Sequence, residues 1–338
     1  MVTYVIIIIA IALIFDFANG INDAANSIAT VVATRVLTPR LAVLWAAFFN
    51  FVAAFCFSTH VAKTIGHDLV APHVITPHLV LAALLAAIVW TVVCTWRGLP
   101  ISVSHALIGA LAGAALASGG MHALHWGPIG KIALFIVLSP LIGLALGGLN
   151  MIATMWICRK RTPRGVDRTF RVLQLLSAGL YSLSHGLNDA QKTMGIIFAA
   201  LISVPRLQSW ATHSGDPNSG QLAWWIILSC HGAMALGTYL GGWKVVHTLG
   251  HRVTKLTPVD GFCAEFGGGA TIVALSYFGI PVSTTHTITG SIFGVGMVRR
   301  LRSVRWSVGY EIAWAWVLTL PMAAALAAGI HLLILRLV

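Results

Sequence analysis

Apolar residues fall in ten long runs, at roughly 2–18, 41–57, 79–95, 101–117, 132–157, 172–201, 222–243, 262–278, 282–298 and 308–335, separated by short polar segments. A helix that crosses the hydrocarbon core of a bilayer needs about 20 mostly apolar residues. The pattern therefore predicts an all-α polytopic membrane protein with ten crossings. Composition supports this, because 58% of the 338 residues are hydrophobic and only 9% are charged, with a mean hydropathy of +0.87. Soluble domains carry about 25% charge. A soluble enzyme and a disordered chain are excluded, and so is a nucleic-acid partner, despite the net charge of +12.

The first 15 residues could pass for a signal-peptide core, but no basic stretch precedes them and Asp16 follows in place of a small-residue cleavage site. They read as the start of the first span. Cys56, Cys94, Cys158, Cys230 and Cys263 are scattered with no CxxC spacing, so neither a disulfide nor a thiolate metal site is expected.

Topology explains the basicity, since cytoplasmic loops carry an excess of Lys and Arg. With the N-terminus outside, ten crossings put 16 of the 21 basic residues in the cytoplasm: Arg35, Arg40, Arg97, the 159–171 cluster, Lys244, Arg252, Lys255 and those from Arg299 to Arg305. Lys63, Lys131, Arg206 and Arg336 fall outside, and Lys192 lies within a span. Both termini are then external. The run RKRTPRGVDRTFR at 159–171 reads as a cytoplasmic linker whose arginines meet lipid headgroups. SVPRLQSWATHSGDPNSGQ at 203–221 reads as a flexible external loop.

The chain also repeats itself. A shift of 181 lays GLPISVSHALIGA at 98–110 onto GIPVSTTHTITGS at 279–291, and a shift of 166 lays NGINDAANSIA at 19–29 onto HGLNDAQKTMG at 185–195. This divides the protein into a first repeat at 1–157, a linker at 158–171 and a second repeat at 172–338. Five crossings per repeat is an odd number, so the copies insert with opposite orientation. Inverted repeats with discontinuous helices mark secondary transporters, which bind substrate and coupling ions near the bilayer midplane.

In GINDAANS and GLNDAQKT, a glycine followed by Asn and Asp is expected to break the first and sixth spans, because Asn and Asp favour local side-chain to backbone bonds. An intramembrane carboxylate costs about 2.5–3.5 kcal/mol on insertion scales and is functional by default. Asn22, Asp23 and Asn26 in the first motif, and Asn188, Asp189, Gln191 and Lys192 in the second, are candidates for cation or proton coupling, and Glu265 inside the eighth span joins them. The plainer alternative is a polar bridge that pins two helices together. Asp16 has no visible partner and serves either coupling or the helix break.

PISVSH and PVSTTH place a proline at a helix start among hydroxyls that can cap free N–H groups. Such N-termini bind anions. Ser102, Val103, Ser104 and His105, with Ser283, Thr284, Thr285 and His286, form the expected anion site, where two helix starts meet from opposite sides of the membrane. A histidine in such a place is more often a donor to neighbouring backbone than a direct ligand. Gly109, Gly113, Gly290 and Gly294 read as close-packing positions.

At these residues the chain resembles the inorganic phosphate transporter (PiT) family, whose members carry two G-x-N-D-x-A-N-like signatures and two P-[IV]-S-[ST]-[ST]-H-like segments. The resemblance extends over FDFANGINDAANSIATVVATRV, MALGTYLGGWKVVHTLG and AEFGGGATIVALSYFGIPVSTTHTITGSIFGVG. It implies a non-enzymatic symporter that imports inorganic phosphate across the cell (inner) membrane, with no cofactor. It further implies coupling to H+ or Na+, a divalent metal admitted as co-transported cargo, membrane lipid as a partner, and a homodimer. Anion binding is carried to 102–104 and 283–285, and cation handling to Asp23, Asn26 and Asp189. Two departures matter: Val103 stands where the second copy has Thr284, and Gln191 and Lys192 stand where the first has Ala25 and Asn26. In the second, the chain looks like the bacterial low-affinity, proton-coupled branch, with the Lys192 ammonium replacing a coupling cation.

Sulfate is the alternative substrate on this fold, since it too is a tetrahedral oxyanion. Phosphate ranks first because near pH 7 it can donate a hydrogen bond to Asp or His. A membrane-embedded hydrolase using Ser104 with His105, or Thr285 with His286, is a remote alternative, because adjacent side chains at a helix start point apart.

Overall fold

The computed structural model describes residues 2–56, 60–65, 69–216, 221–299 and 301–337. Arg300 and Ser219, which the sequence assigns to a cytoplasmic and an external loop, lie outside the described residues. In chain order the helices are α1 (Val2–Ala33), α2 (Pro39–Val52), α3 (His60–Lys63), α4 (Pro77–Arg97), α5 (Val103–Gly119), α6 (Trp126–Cys158), α7 (Pro163–Ile202), α8 (Gln208–Ala211), α9 (Trp224–Leu240), α10 (Trp243–His247), α11 (Pro258–Tyr277), α12 (Thr284–Arg299) and α13 (Trp306–Leu337). The described residues contain no β-strand beyond two isolated bridges. Every predicted apolar run overlaps one of the ten helices of 14 residues or more among the described residues.

Local chemistry sets the boundaries. Thr76 caps α4 by accepting from Leu79 N, Pro77 follows at the first helical position, and Gly98 ends the helix at φ +72°. Thr257 and Asp260 form a capping box at the start of α11. Gly241 (φ +69°) and Gly242 separate α9 from α10. The periphery exposes Ile6, Ile14, Val137, Leu141, Trp156 and Leu180. In an apolar solvent such a surface costs nothing, and a helix satisfies its own backbone. The protein is multi-pass. Val2–Ala33, Pro77–Arg97, Val103–Ala123, Trp126–Cys158 and Trp306–Leu337 are each long and apolar enough to cross a bilayer.

Two of these five do not cross. At one end α4 begins beside the first turn of α1, where Tyr4 Oη meets His78 Nδ1 at 2.8 Å. α5 returns to that same end, where Val70 bridges Leu124 and Ala71 N donates to Ala123 O. The turn between them, 98–102, stops partway: Trp316 Nε1 donates to Pro100 O at 2.9 Å, and Trp316 lies ten residues, about 15 Å, inside α13. α11 and α12 mirror this from the face of the basic linker. Arg299 closes their open end on Asp260 at 2.9 Å and on Thr257 at 3.0 Å. Their turn reaches His286, whose Nδ1 meets Ile136 O, ten residues inside α6. The two turns touch: Thr285 Oγ1 donates to Ile101 O at 3.0 Å, and the His105 and His286 ring centroids are 4.7 Å apart. Hairpins that entered from opposite faces and spanned fully would have their turns on opposite surfaces.

Among the described residues the predicted ten crossings are therefore corrected to six, formed by α1, α2 with α3, α6, α7, α9 with α10, and α13, together with two re-entrant hairpins. Three crossings and one hairpin per half remain odd in number, which agrees with inverted copies. Arg97 and Lys244 are corrected as well. They lie at the first hairpin turn, where Lys244 Nζ donates to Trp96 O at 2.9 Å, and not in a loop at the linker face.

The predicted helix breaks are also relocated. α1 runs unbroken through Asn22–Asn26 and α7 through Asn188–Lys192. The interruptions lie after Val52 in the second crossing and at Gly241–Gly242 in the α9–α10 crossing. Asn and Asp stay helical here because their side chains bond to neighbouring helices and do not compete for their own backbone.

Each hairpin packs on a crossing helix of the other half. A Cβ added to Gly109 would lie 2.6 Å from Leu320 O, and one at Gly113 would run into the Ala324 backbone, so α5 lies flat on α13. Gly290 and Gly294 press α12 equally closely onto Pro140 and Leu144 of α6. Small residues allow this approach of helices in a membrane.

Candidate functional site

The site forms where the two hairpin turns meet the middles of α1 and α7. The motif side chains pair in a near-symmetric pattern. Asn22 Nδ2 donates to Thr95 Oγ1 at the end of α4, and Asn188 Nδ2 donates to Ser276 Oγ at the end of α11, both at 2.7 Å. Asn26 Nδ2 donates to Thr285 Oγ1 at 2.9 Å. Lys192 Nζ makes the mirrored bond to Ser104 Oγ. Lys192 also pairs with Asp189 Oδ1 and donates to Val282 O at 2.8 Å. An ammonium has three donors, and all three are used, on α5, α7 and the second turn.

Asp23 and Asp189 face one another across His185. His185 Nε2 lies 3.6 Å from Asp23 Oδ2 and 3.3 Å from Asp189 Oδ2, and all three residues are buried. Thr284 Oγ1 sits 3.3 Å from Asp23 Oδ2 and 3.1 Å from Asp189 Oδ2, and its one proton serves either carboxylate. Thr285 Oγ1 lies 3.1 Å from Asp23 Oδ1. Val103, at the position equivalent to Thr284, offers no donor. His185 Nδ1 meets Asn50 Oδ1 at 3.1 Å, and Asn50 Nδ2 donates to Thr238 Oγ1. With the amide so oriented, Nδ1 carries a hydrogen, and a neutral His185 would aim its Nε2 lone pair at two carboxylate oxygens. That arrangement is repulsive unless a proton or a metal cation occupies the space, and one ligand atom from each of the three residues lies within 4.8 Å of the others.

Ser102 and Ser283 cap α5 and α12, accepting from His105 N and His286 N, each at 3.2 Å. His286 stacks on Trp316 at 3.8 Å between centroids. Neither His105 nor His286 bonds its ring to the acid cluster among the described residues. Ser104 and Thr285 are engaged by Lys192, Asn26 and Asp23, not by the adjacent histidines, so neither Ser–His nor Thr–His pair has the geometry of an activated nucleophile.

Two predicted coupling residues stand apart. Gln191 Oε1 accepts from Val61 N and Ala62 N and holds the start of α3. Glu265 lies closer to the linker face, where its carboxylate accepts from Thr30 Oγ1 at 2.6 Å, Gln174 Nε2 at 3.1 Å and Ser177 Oγ. Reading by symmetry missed His185, because the shift of 166 sets it against Asn19, which cannot titrate. Its place in HGLNDA, one turn before Asp189, was the available signal. A cavity of about 530 Å³ lined by Thr64, His125, Lys131 and Phe278 to Pro281 ends at the second turn, and so leads from the α1 N-terminal face toward the site.

Residues 19–327 match the phosphate transporter family. The chain is 51% identical to a protein of Rhizobium meliloti named "probable low-affinity inorganic phosphate transporter", over 95% of this chain and 93% of that one. It is 42% identical to a Bacillus subtilis protein of the same name, over 96% and 95%. A solved structure titled "The sodium-dependent phosphate transporter" superposes with a TM-score of 0.86 at 26% identity, covering 99% of this chain and 100% of that one.

Proposed function

The chain belongs to the phosphate transporter family, and we propose that it imports inorganic phosphate across the cell membrane by symport with H+, its N- and C-termini outside. The relatives are named as transporters, and catalysis is no part of this reading. The carrying observation is the buried Asp23–His185–Asp189 cluster, bridged by Thr284 from the turn that bears the proposed anion site. Two carboxylates beside an oxyanion repel it until cations or protons neutralise them, so loading one favours loading the other.

The anion is received by free N–H groups of the first turns of α5 and α12 and by the hydroxyls of Ser104, Thr284 and Thr285, while Ser102 and Ser283 hold those turns in helical form. Asp23, Asn22 and Asn26 on one side, and Asp189 and Asn188 on the other, handle the coupling ion. Asn26 leaves a neutral oxygen for a cation. Its mirror, Lys192, puts a fixed ammonium in the equivalent place and excludes Na+ from that half. Glu265 offers a further protonatable group toward the linker face. Protonated phosphate donates to these acids, which favours it over sulfate.

The test is uptake of radiolabelled phosphate into proteoliposomes in Na+-free choline buffer with an inward proton gradient, with excess sulfate as competitor. Uptake unaffected by sulfate is expected. Transport that appears only when Na+ is added at constant pH would overturn proton coupling.

A further inference from the structure

Asp16 lies two turns from Asp23 on α1, toward the N-terminal face. It is fully buried, and neither carboxylate oxygen has a hydrogen-bond partner. Its polar neighbours are Asn19 on α1 and Thr193 on α7, and Asn19 Oδ1 and Thr193 Oγ1 are likewise buried without a partner. The ionisable groups that face it are Asp189 and His185 of α7 and Cys230 of α9. Asp23 follows on its own helix, and α4 offers no ionisable side chain between His78 and Cys94. Lys192, the buried ammonium of α7, is engaged by Asp189, Ser104 and Val282.

A buried carboxylate whose neighbours Asn19 and Thr193 stand outside hydrogen-bond geometry, and which has no salt bridge, is far costlier than a neutral acid. A proton on Asp16 removes that cost and supplies an O–H where two acceptors stand empty. From these contacts we infer that Asp16, with Asn19 and Thr193, forms a proton-binding site on the N-terminal side of the Asp23–His185–Asp189 cluster and unloads into that cluster. In the transfer the O–H bond of Asp16 breaks, and an O–H or N–H bond forms at Asp189 or His185. Asp16 becomes anionic as the cluster gains one positive charge, and the Thr193 hydroxyl, one turn from Asp189, accepts on its oxygen while releasing its own hydrogen. The shift of 166 sets Ser182 against Asp16, so the second half has no such acid. Intramembrane acids of this kind serve as proton relays.

This inference rests on proton-coupled phosphate import, and wild-type uptake under a proton gradient in Na+-free buffer tests that reading separately. For Asp16 itself, the Asp16→Asn protein in proteoliposomes is compared in net uptake and in phosphate–phosphate exchange at equal pH on both sides. Net uptake is expected to vanish while exchange continues, and exchange certifies the fold. Phosphate-induced infrared difference spectra of the wild type should show a neutral carboxylic C=O band that Asp16→Asn lacks. Wild-type net uptake by Asp16→Asn, loss of exchange together with net uptake, or an unchanged carboxylic band would each overturn the inference.

Discussion

Replacing Lys192 by asparagine, the residue its mirror position carries, should convert the second half of the site into a cation-dependent one. The Lys192 ammonium is buried, pairs with the buried Asp189 carboxylate, and ties α7 to Ser104 on one hairpin and Val282 on the other. Removing one partner of such a pair leaves an uncompensated charge and costs about 3–5 kcal/mol. At 1.4 kcal/mol per factor of ten, that is roughly two to nearly four orders of magnitude in the population of the assembled site. A bound Na+ can restore the missing charge in Lys192→Asn, where the amide oxygen is a ligand, but not in Lys192→Met, whose thioether is a poor one for a hard cation. The assay is initial phosphate uptake in proteoliposomes at fixed pH gradient, with choline replaced stepwise by Na+. Lys192→Asn should be nearly inactive in choline and recover with Na+, whereas Lys192→Met should stay inactive. A Lys192→Asn protein that transports in choline at the wild-type rate would refute the substitute-cation argument.

Asp23→Asn keeps the shape of the side chain and removes its charge, so concentrative uptake should be lost; accumulation of phosphate against its gradient would contradict the coupling role. Replacing Ser283 and Thr285 together by alanine removes a helix cap and a hydroxyl donor, each worth about 1 kcal/mol, and should raise the phosphate KM about tenfold or more; Ser307→Ala, on an exposed residue, should leave it unchanged. A methyl group at Gly113 meets the Ala324 backbone, and overpacking of this kind costs about 1–3 kcal/mol, so Gly113→Ala should lower the melting temperature in detergent. Gly127→Ala, where no atom lies within 4 Å, should not. Glu265→Gln should slow net uptake relative to phosphate exchange, and equal slowing of both would mark Glu265 as purely structural.

The helices were legible in the chain because apolar runs report length and surroundings, and α4 and α5 are both long and apolar enough to pass for crossings. For the same reason hydropathy could not show that these two turn back. Depth is set by what receives the turn, and Trp316 and Ile136 belong to distant segments. The expected break at Asn22–Asp23 followed from local propensity, which lost to tertiary partners such as Thr95, Thr284 and Thr285. Duplication pointed to Asp23, Asp189, Ser104 and Thr285, since each has a counterpart. It was blind to His185 and Asp16, where the halves differ and the asymmetric chemistry lies.

The seating of α5 along α13 also bears on how the protein is made. When the first half has left the ribosome, the Gly109–Gly113 face of its hairpin has nothing against it and the Pro100 carbonyl has no donor. The surface and the indole that receive them belong to α13, which follows every other described helix in the chain. The seat of the first hairpin therefore stays open until α13 is made, and a chain cut short before Trp316 leaves the Pro100 turn, encoded far upstream, without its support. Insertion of the early hairpin has to be reversible, or chaperoned by lipid or by the insertion machinery, until α13 arrives to seal it.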